Sequence, residues 1–206
     1  MRKARALENA PDGTLFSDLV HAEVDGERLT PRTLVSIMQQ LLVAGHETTT
    51  SALTTAIMLL LEHADVRAKL AADSAAIANF VEELLRLHPP VLQSYRIVRE
   101  DTTVHGIMLP KGAMLLISQI CGNYDPAKWD QPAQLDQQRP NARNHLAFGR
   151  GIHYCIGNIL ARTEVCIVVE RLLARMPTLR YDPDQPRPQW APGFHTHLLD
   201  QLWARW

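Results

Sequence analysis

Between residues 34 and 61, apolar side chains recur every three to four positions, at Leu34, Ile37, Met38, Leu41, Leu42, Leu53, Ile57, Leu60 and Leu61. That period is the apolar face of an α-helix. Thr30-Pro31 just ahead of it makes a good start: threonine caps free N–H groups of the first turn, and proline sits where its missing N–H does no harm. The pattern predicts a helix over 31–62, long for a globular protein, and such a helix runs through a domain centre. Gln39, Gln40, His46, Glu47 and several threonines break the apolar run, so a core helix is expected and not a membrane span.

Shorter helical patterns are expected at 65–72 and 75–87, the second ended by Pro89-Pro90. The texture then changes. Segments 95–99, 102–105, 107–109 and 114–120 read as short strands, punctuated by Gly106 and by Pro110-Lys111-Gly112. Residues 123–146 are rich in Asp, Gln, Asn and Pro and carry little periodicity, which predicts a meander ordered by packing. A further helix is expected over 158–176, then a proline-rich tail with a last hairpin within 194–202. With no internal repeat or linker, the expectation is a single domain, mainly α with small β-hairpins. At 206 residues, 46% hydrophobic and net charge -1, the chain has the makings of a globular core and no nucleic-acid footprint. Its three cysteines are an odd, sparse set that favours a reducing, cytoplasmic setting over a disulfide framework. The opening Met1-Arg2-Lys3-Ala4-Arg5-Ala6 is basic but lacks the following apolar run of a secretory signal.

Three local constellations carry chemistry. In Phe148-Gly149-Arg150-Gly151-Ile152-His153-Tyr154-Cys155-Ile156-Gly157, a lone cysteine stands among three glycines just before a helical pattern. Gly149 and Gly151 let the backbone turn tightly and approach a flat ligand, and Gly157 is expected to do the same where loop meets helix. Cys155 then lies near the positive end of that helix, where peptide N–H groups stabilise a thiolate. A thiolate held by backbone donors under a glycine-lined surface is what an axial ligand to haem iron needs. Zinc is a poorer reading of His153 and Cys155, because no second Cys or His pair stands at ligand spacing. Ala44-Gly45-His46-Glu47-Thr48-Thr49 lies in the middle of the long helix. Glycine there costs roughly 1 kcal/mol relative to alanine, and threonine hydroxyls bonding back to carbonyls bend helices. A local distortion with room for a small ligand is expected, with an acid beside an alcohol. Glu83-Leu84-Leu85-Arg86 places a carboxylate and a guanidinium on one helix face.

The loop matches Phe-x-x-Gly-x-x-x-Cys-x-Gly at Phe148, Gly151, Cys155 and Gly157, and resembles the haem-binding loop of the cytochrome P450 family. Ala44 to Thr48 resembles that family's oxygen-activating pattern, Ala-Gly-x-(Asp/Glu)-Thr. Glu83 and Arg86, just before His88-Pro89-Pro90, resemble its Glu-x-x-Arg motif. The resemblance implies haem b with Cys155 as axial ligand, within a loop that includes Phe148, Gly149, Gly151 and Gly157, and with Arg96 and His153 toward the propionates. It implies that Thr48 hydrogen-bonds dioxygen and that Glu47 helps deliver protons for O–O cleavage. It makes Glu83 and Arg86 a buried structural pair, joined by an arginine from the meander. Gln134 stands where that arginine commonly does, so Arg139 or His145 would be the third partner. Cys166 falls on the apolar side of the last helix and is expected in the core.

The resemblance runs from Asp12-Gly13-Thr14-Leu15 through Leu160-Ala161-Arg162 to the tail, where Trp203-Ala204 replaces the usual Pro-Val. It corresponds to the C-terminal, haem-ligating half of the family's fold. The implied activity is monooxygenation of a small organic substrate. Electrons would come from NAD(P)H through a ferredoxin or flavin-type partner, docked at a basic face of Arg143, Arg150 and Arg162. Neither nucleic acid nor membrane is an expected partner; a second chain supplying the N-terminal half is. The alternative is a non-catalytic remnant or haem-binding fragment. An isomerase or dehydratase of the haem-thiolate type is disfavoured by Glu47-Thr48.

Overall fold

The chain forms two compact units, residues 1–47 and 48–206. The structure, a computed structural model, describes residues 2–206; Met1, which opens the basic stretch noted above, lies outside the described residues. In the first unit, α1 (Arg2–Asn9) and α2 (Leu15–His21) precede a hairpin of β1 (Glu23–Val24) and β2 (Glu27–Arg28). Thr14 caps α2, its hydroxyl accepting from the Ser17 N–H. The hairpin turns on Asp25 and Gly26, both at positive φ (54 and 80), the combination that a type I′ turn requires. Ala4, Leu7 and Val20 bury themselves with Leu34, the first apolar residue of the long helix.

That helix, α3 (Pro31–Glu62), begins in the first unit and ends in the second. It is α-helical from end to end, so whatever distortion Gly45 and the threonines of 44–49 introduce does not interrupt it; one interior glycine carries a modest cost. Its burial is uneven. Leu42 and Val43 are exposed, whereas Ala52, Ala56, Leu59 and Leu60 are buried. The expected core helix is thus buried at Leu34 and in its later turns, and exposed around Leu42 and Val43 between them.

In the second unit, α4 (Ala64–Ala72), α5 (Ile77–Leu87) and α7 (Asn158–Arg175) pack with the end of α3 around Leu70, Phe80, Val81, Leu84, Val165 and Val169. Every residue of α5 from Phe80 to Leu87 is buried, Glu82, Glu83 and Arg86 included. A helix enclosed on all sides must pair its charges. Between α5 and α7 run β3 (Gln93–Ile97), β4 (Thr102–Val104), β5 (Ile107–Leu109), β6 (Met114–Ser118) and the short α6 (Gln119–Asn123). β3 pairs antiparallel with β6, Arg96 opposite Leu115, and β4 with β5 through a second positive-φ turn at His105-Gly106. The strand expected to run to residue 120 ends at Ser118, whose hydroxyl caps α6 instead.

The tail departs most from expectation. No hairpin forms within 194–202; β8 (Ala204–Arg205) pairs with β7 (Arg180–Tyr181), and isolated bridges join Val91 to Thr196 and Trp190 to Leu199. The Leu92 N–H donates to the His195 carbonyl at 2.9 Å and the His197 N–H to the Pro90 carbonyl at 2.9 Å. The tail thus satisfies backbone groups that the prolines after α5 leave outside any helix.

Candidate functional site

Cys155 is half-buried, three residues before the first residue of α7. Its N–H donates to the Phe148 carbonyl at 2.9 Å, and its carbonyl accepts from Asn158 Nδ2 at 2.8 Å. Both polar groups of the cysteine peptide are therefore fixed. Gly149 and Gly151 adopt φ of 71 and 72, a region in which a Cβ is strained. Gly157, by contrast, has φ -83, a conformation open to any residue. A Cβ there would sit 3.9 Å from Cys155 Sγ, at ordinary contact distance. His153 closes a short 3₁₀ turn, Gly151–His153, and is exposed.

Cys155 lies within a bare apolar stretch of sequence. Ile152 and Ile156 are 96% and 91% exposed, and Ile159 and Leu160 are exposed as well. Among the described residues no group of three or more His, Cys, Asp or Glu is placed to hold a metal ion. A single soft thiol with exposed apolar neighbours fits one axial ligand to a flat, largely apolar macrocycle and not a tetrahedral zinc site. The loop is thus suited to haem.

Glu83 and Arg86 are both fully buried. Arg86 donates from Nε to Glu83 Oε2 at 2.7 Å and from Nη2 to Oε1 at 2.8 Å, a bidentate pair. Its Nη1 donates to the Asn123 and Pro132 carbonyls at 2.8 and 2.7 Å, and its guanidinium lies 5.1 Å from the centre of the Trp129 ring. The third partner is Arg139, whose Nε donates to Glu83 Oε1 at 2.9 Å. Gln134 contributes only its carbonyl, to both arginines. His145 turns elsewhere, to Glu82 at 3.0 Å. The Asp136 N–H, three residues before Arg139, also donates to Glu83 Oε1, at 3.1 Å.

The remaining candidates stand on other elements. Arg96, on β3, donates to the Tyr95 carbonyl at 2.8 Å, and no hydrogen bond among the described residues joins it to the loop. Glu47 and Thr48 are consecutive on α3, the glutamate exposed and the threonine half-buried. Of the three arginines expected to form a basic face, Arg143 is exposed and Arg150 is exposed with a bond to the Asn144 carbonyl. Arg162 is not part of such a face; its side chain, 14% exposed, turns inward onto Glu82. Cys166 is half-buried against the core, and burial raises its thiol pKa.

A half-buried thiol ahead of a helix, in a mainly helical fold with small antiparallel pairs, has the features of a haem-thiolate protein. The chain belongs to the cytochrome P450 family: the family model described as Cytochrome P450 matches residues 2–196. It is 41% identical over 171 residues to the cyclomarin C epoxidase of Salinispora arenicola, covering 83% of this chain and 43% of that protein. It is 39% identical over 194 residues to the cytochrome P450 monooxygenase PikC of Streptomyces venezuelae, covering 93% and 46%. The crystal structure of CYP109E1 from Bacillus megaterium in complex with testosterone superposes with a TM-score of 0.93 at 30% identity, covering 99% of this chain and 56% of that one. The chain thus spans less than half the length of these curated relatives. Among the described residues no helix is long and apolar enough to cross a membrane.

Proposed function

We infer that this chain carries the haem-ligating part of a monooxygenase that places one atom of O₂ in a small organic substrate and reduces the other to water. The observation that carries the reading is the fixed peptide of Cys155, bonded at both N–H and C=O ahead of α7. Bound haem would supply the oxygen chemistry, and a thiolate ligand favours O–O scission. Cys155 would hold the iron, with Phe148, Gly149, Gly151 and Gly157 shaping the surface around it. Arg96 and His153 would bind the propionates. Thr48 would orient dioxygen by a hydrogen bond and Glu47 would relay protons. Two electrons per turnover would come from NAD(P)H through a ferredoxin or flavin-type partner, and a cytoplasmic setting suits that supply. The exposed Leu42 and Val43 favour cover by the remainder of the family's fold, on this polypeptide or on a second chain.

The test is reconstitution with haem. The reduced carbon monoxide complex should show the red-shifted Soret band of thiolate ligation. Cys155→Ala should abolish it, while Cys121→Ala and Cys166→Ala should leave it. A thiolate band that survives in the Cys155 variant would refute the assignment.

A further inference from the structure

Glu82, the neighbour of Glu83, belongs to neither the buried Glu83–Arg86–Arg139 cluster nor the loop, yet it joins elements on both sides of the cysteine. Arg162, on α7, donates to it through two nitrogens, Nε to Oε1 at 2.6 Å and Nη2 to Oε2 at 3.0 Å. His145 Nε2 meets Oε2 at 3.0 Å. Because His145 Nδ1 accepts from the Ala147 N–H at 3.1 Å, the ring carries its proton on Nε2 and donates it to Glu82. Arg143 adds a more distant charge at 3.8 Å. Burial alone would raise the Glu82 carboxyl pKa, but the hydrogen bonds from His145 and Arg162 and the charge of Arg162 outweigh it and bring it from 4.5 to about 2.

The two groups held by this carboxylate grip Phe148. The Arg162 guanidinium lies 4.4 Å from the centre of the Phe148 ring, and the His145 ring is tilted against it at 5.6 Å. Phe148 in turn accepts the Cys155 N–H. A second path reaches the other side of the same peptide: Arg162 Nη1 donates to Asn158 Oδ1 at 2.8 Å, and Asn158 Nδ2 donates to the Cys155 carbonyl at 2.8 Å. Both polar groups of the cysteine peptide thus trace back, through two routes, to one carboxylate on α5. A bidentate pair with a guanidinium fixes orientation as well as distance.

We propose that Glu82 is the positioning residue of the cysteine ligand, setting the orientation of the Cys155 peptide through Arg162 and His145. Its importance for ligation rests on the reading that Cys155 holds haem iron; its control of the loop does not. The experiment uses the purified 206-residue chain without haem, as parent, Glu82→Gln and Asn158→Ala. Amide hydrogen exchange at Cys155 and the alkylation rate of its thiol are measured against Cys121. Glu82→Gln should exchange the Cys155 amide at least tenfold faster, and both variants should alkylate Cys155 faster, with exchange in α4 and the far-ultraviolet circular dichroism unchanged. A purely structural glutamate would instead loosen α4 and the loop together. Parent-like exchange at Cys155 in a folded Glu82→Gln chain would overturn the proposal. Should that variant not fold, Asn158→Ala, which cuts the carbonyl route and leaves Glu82 in place, decides through the thiol: faster alkylation of Cys155 supports the proposal and a parent-like rate refutes it. Added haem supplies a separate readout. Absence of a thiolate band in the parent refutes the haem reading alone, whereas a parent band that Glu82→Gln loses supports both.

Discussion

Arg139 Nε donates to Glu83 Oε1 at 2.9 Å across 56 positions of sequence, which fastens the aperiodic meander to the most enclosed helix of the second unit. The carboxylate is shared, since Arg86 occupies both of its oxygens as well. Arg139 also donates to the Asp130 carbonyl at 2.6 Å, so one guanidinium closes two parts of the meander onto α5.

Removing one partner of such a cluster leaves buried charge uncompensated, at a cost of about 3–5 kcal/mol. Arg139→Ala should lose stability of that order in chemical denaturation. Arg139→Lys should recover little, because an ammonium lacks the planar fork that serves a carboxylate and carbonyls at once. An Arg139→Ala chain within about 1 kcal/mol of the parent, inside the range of an ordinary surface change, would show that Arg86 alone suffices.

The loop glycines should differ in their tolerance. Alanine at Gly149 or Gly151 must adopt positive φ, at roughly 1–2 kcal/mol each. Gly157→Ala meets no such barrier and should retain the parent's melting temperature. Equal losses at all three positions in thermal unfolding would contradict the backbone account.

Stability should fall on mild acidification through His88. Burial, then the charges of His197, Arg86 and His63, lower its pKa from 6.5 to about 4; its Nδ1 is buried without a hydrogen-bond partner and its ring stacks on Trp190 at 5.2 Å. The unfolded chain therefore takes up the proton first. The contribution of neutral His88 is complete above pH 6.5 and is lost as pH falls toward 4, by up to about 3 kcal/mol. Urea unfolding at several pH values should show this slope, and His88→Phe should flatten it; an unchanged slope in the variant would assign it to another group.

Thr48→Ala, in a protein completed by the rest of the family's fold, should keep its haem and divert reducing equivalents to peroxide. The comparison is peroxide formed per NAD(P)H consumed. Coupling equal to that of the parent would remove Thr48 from oxygen activation.

What the sequence made legible follows the range of the interactions. Residues 31–62 are readable because helical periodicity is local, and the turn at Gly106 because positive φ is a property of the residue itself. The choice between Arg139 and His145 is not, because each contact links α5 to a segment without period. The β7–β8 pairing joins strands more than 20 residues apart, with only two residues in each, too few for any alternation to register. Glu82 is illegible for a different reason: an acid next to the acid of a motif reads as a solvated neighbour, and only the enclosure of α5 makes it buried. Arg162 misleads in the same way, its charge suggesting a surface that its carboxylate partner denies.

Adjacent positions on an α-helix differ by about 100° around the axis and 1.5 Å along it. Glu82 and Glu83 thereby send identical side chains into separate neighbourhoods, one toward α7 and His145, the other toward the meander. Angular phase, not composition, distinguishes them. A single-residue deletion early in α5 would leave its charge and hydropathy almost untouched while rotating each carboxylate away from its arginines. In this segment a frame-preserving indel should accordingly be far more damaging than most substitutions, and homologous α5 segments should align without gaps.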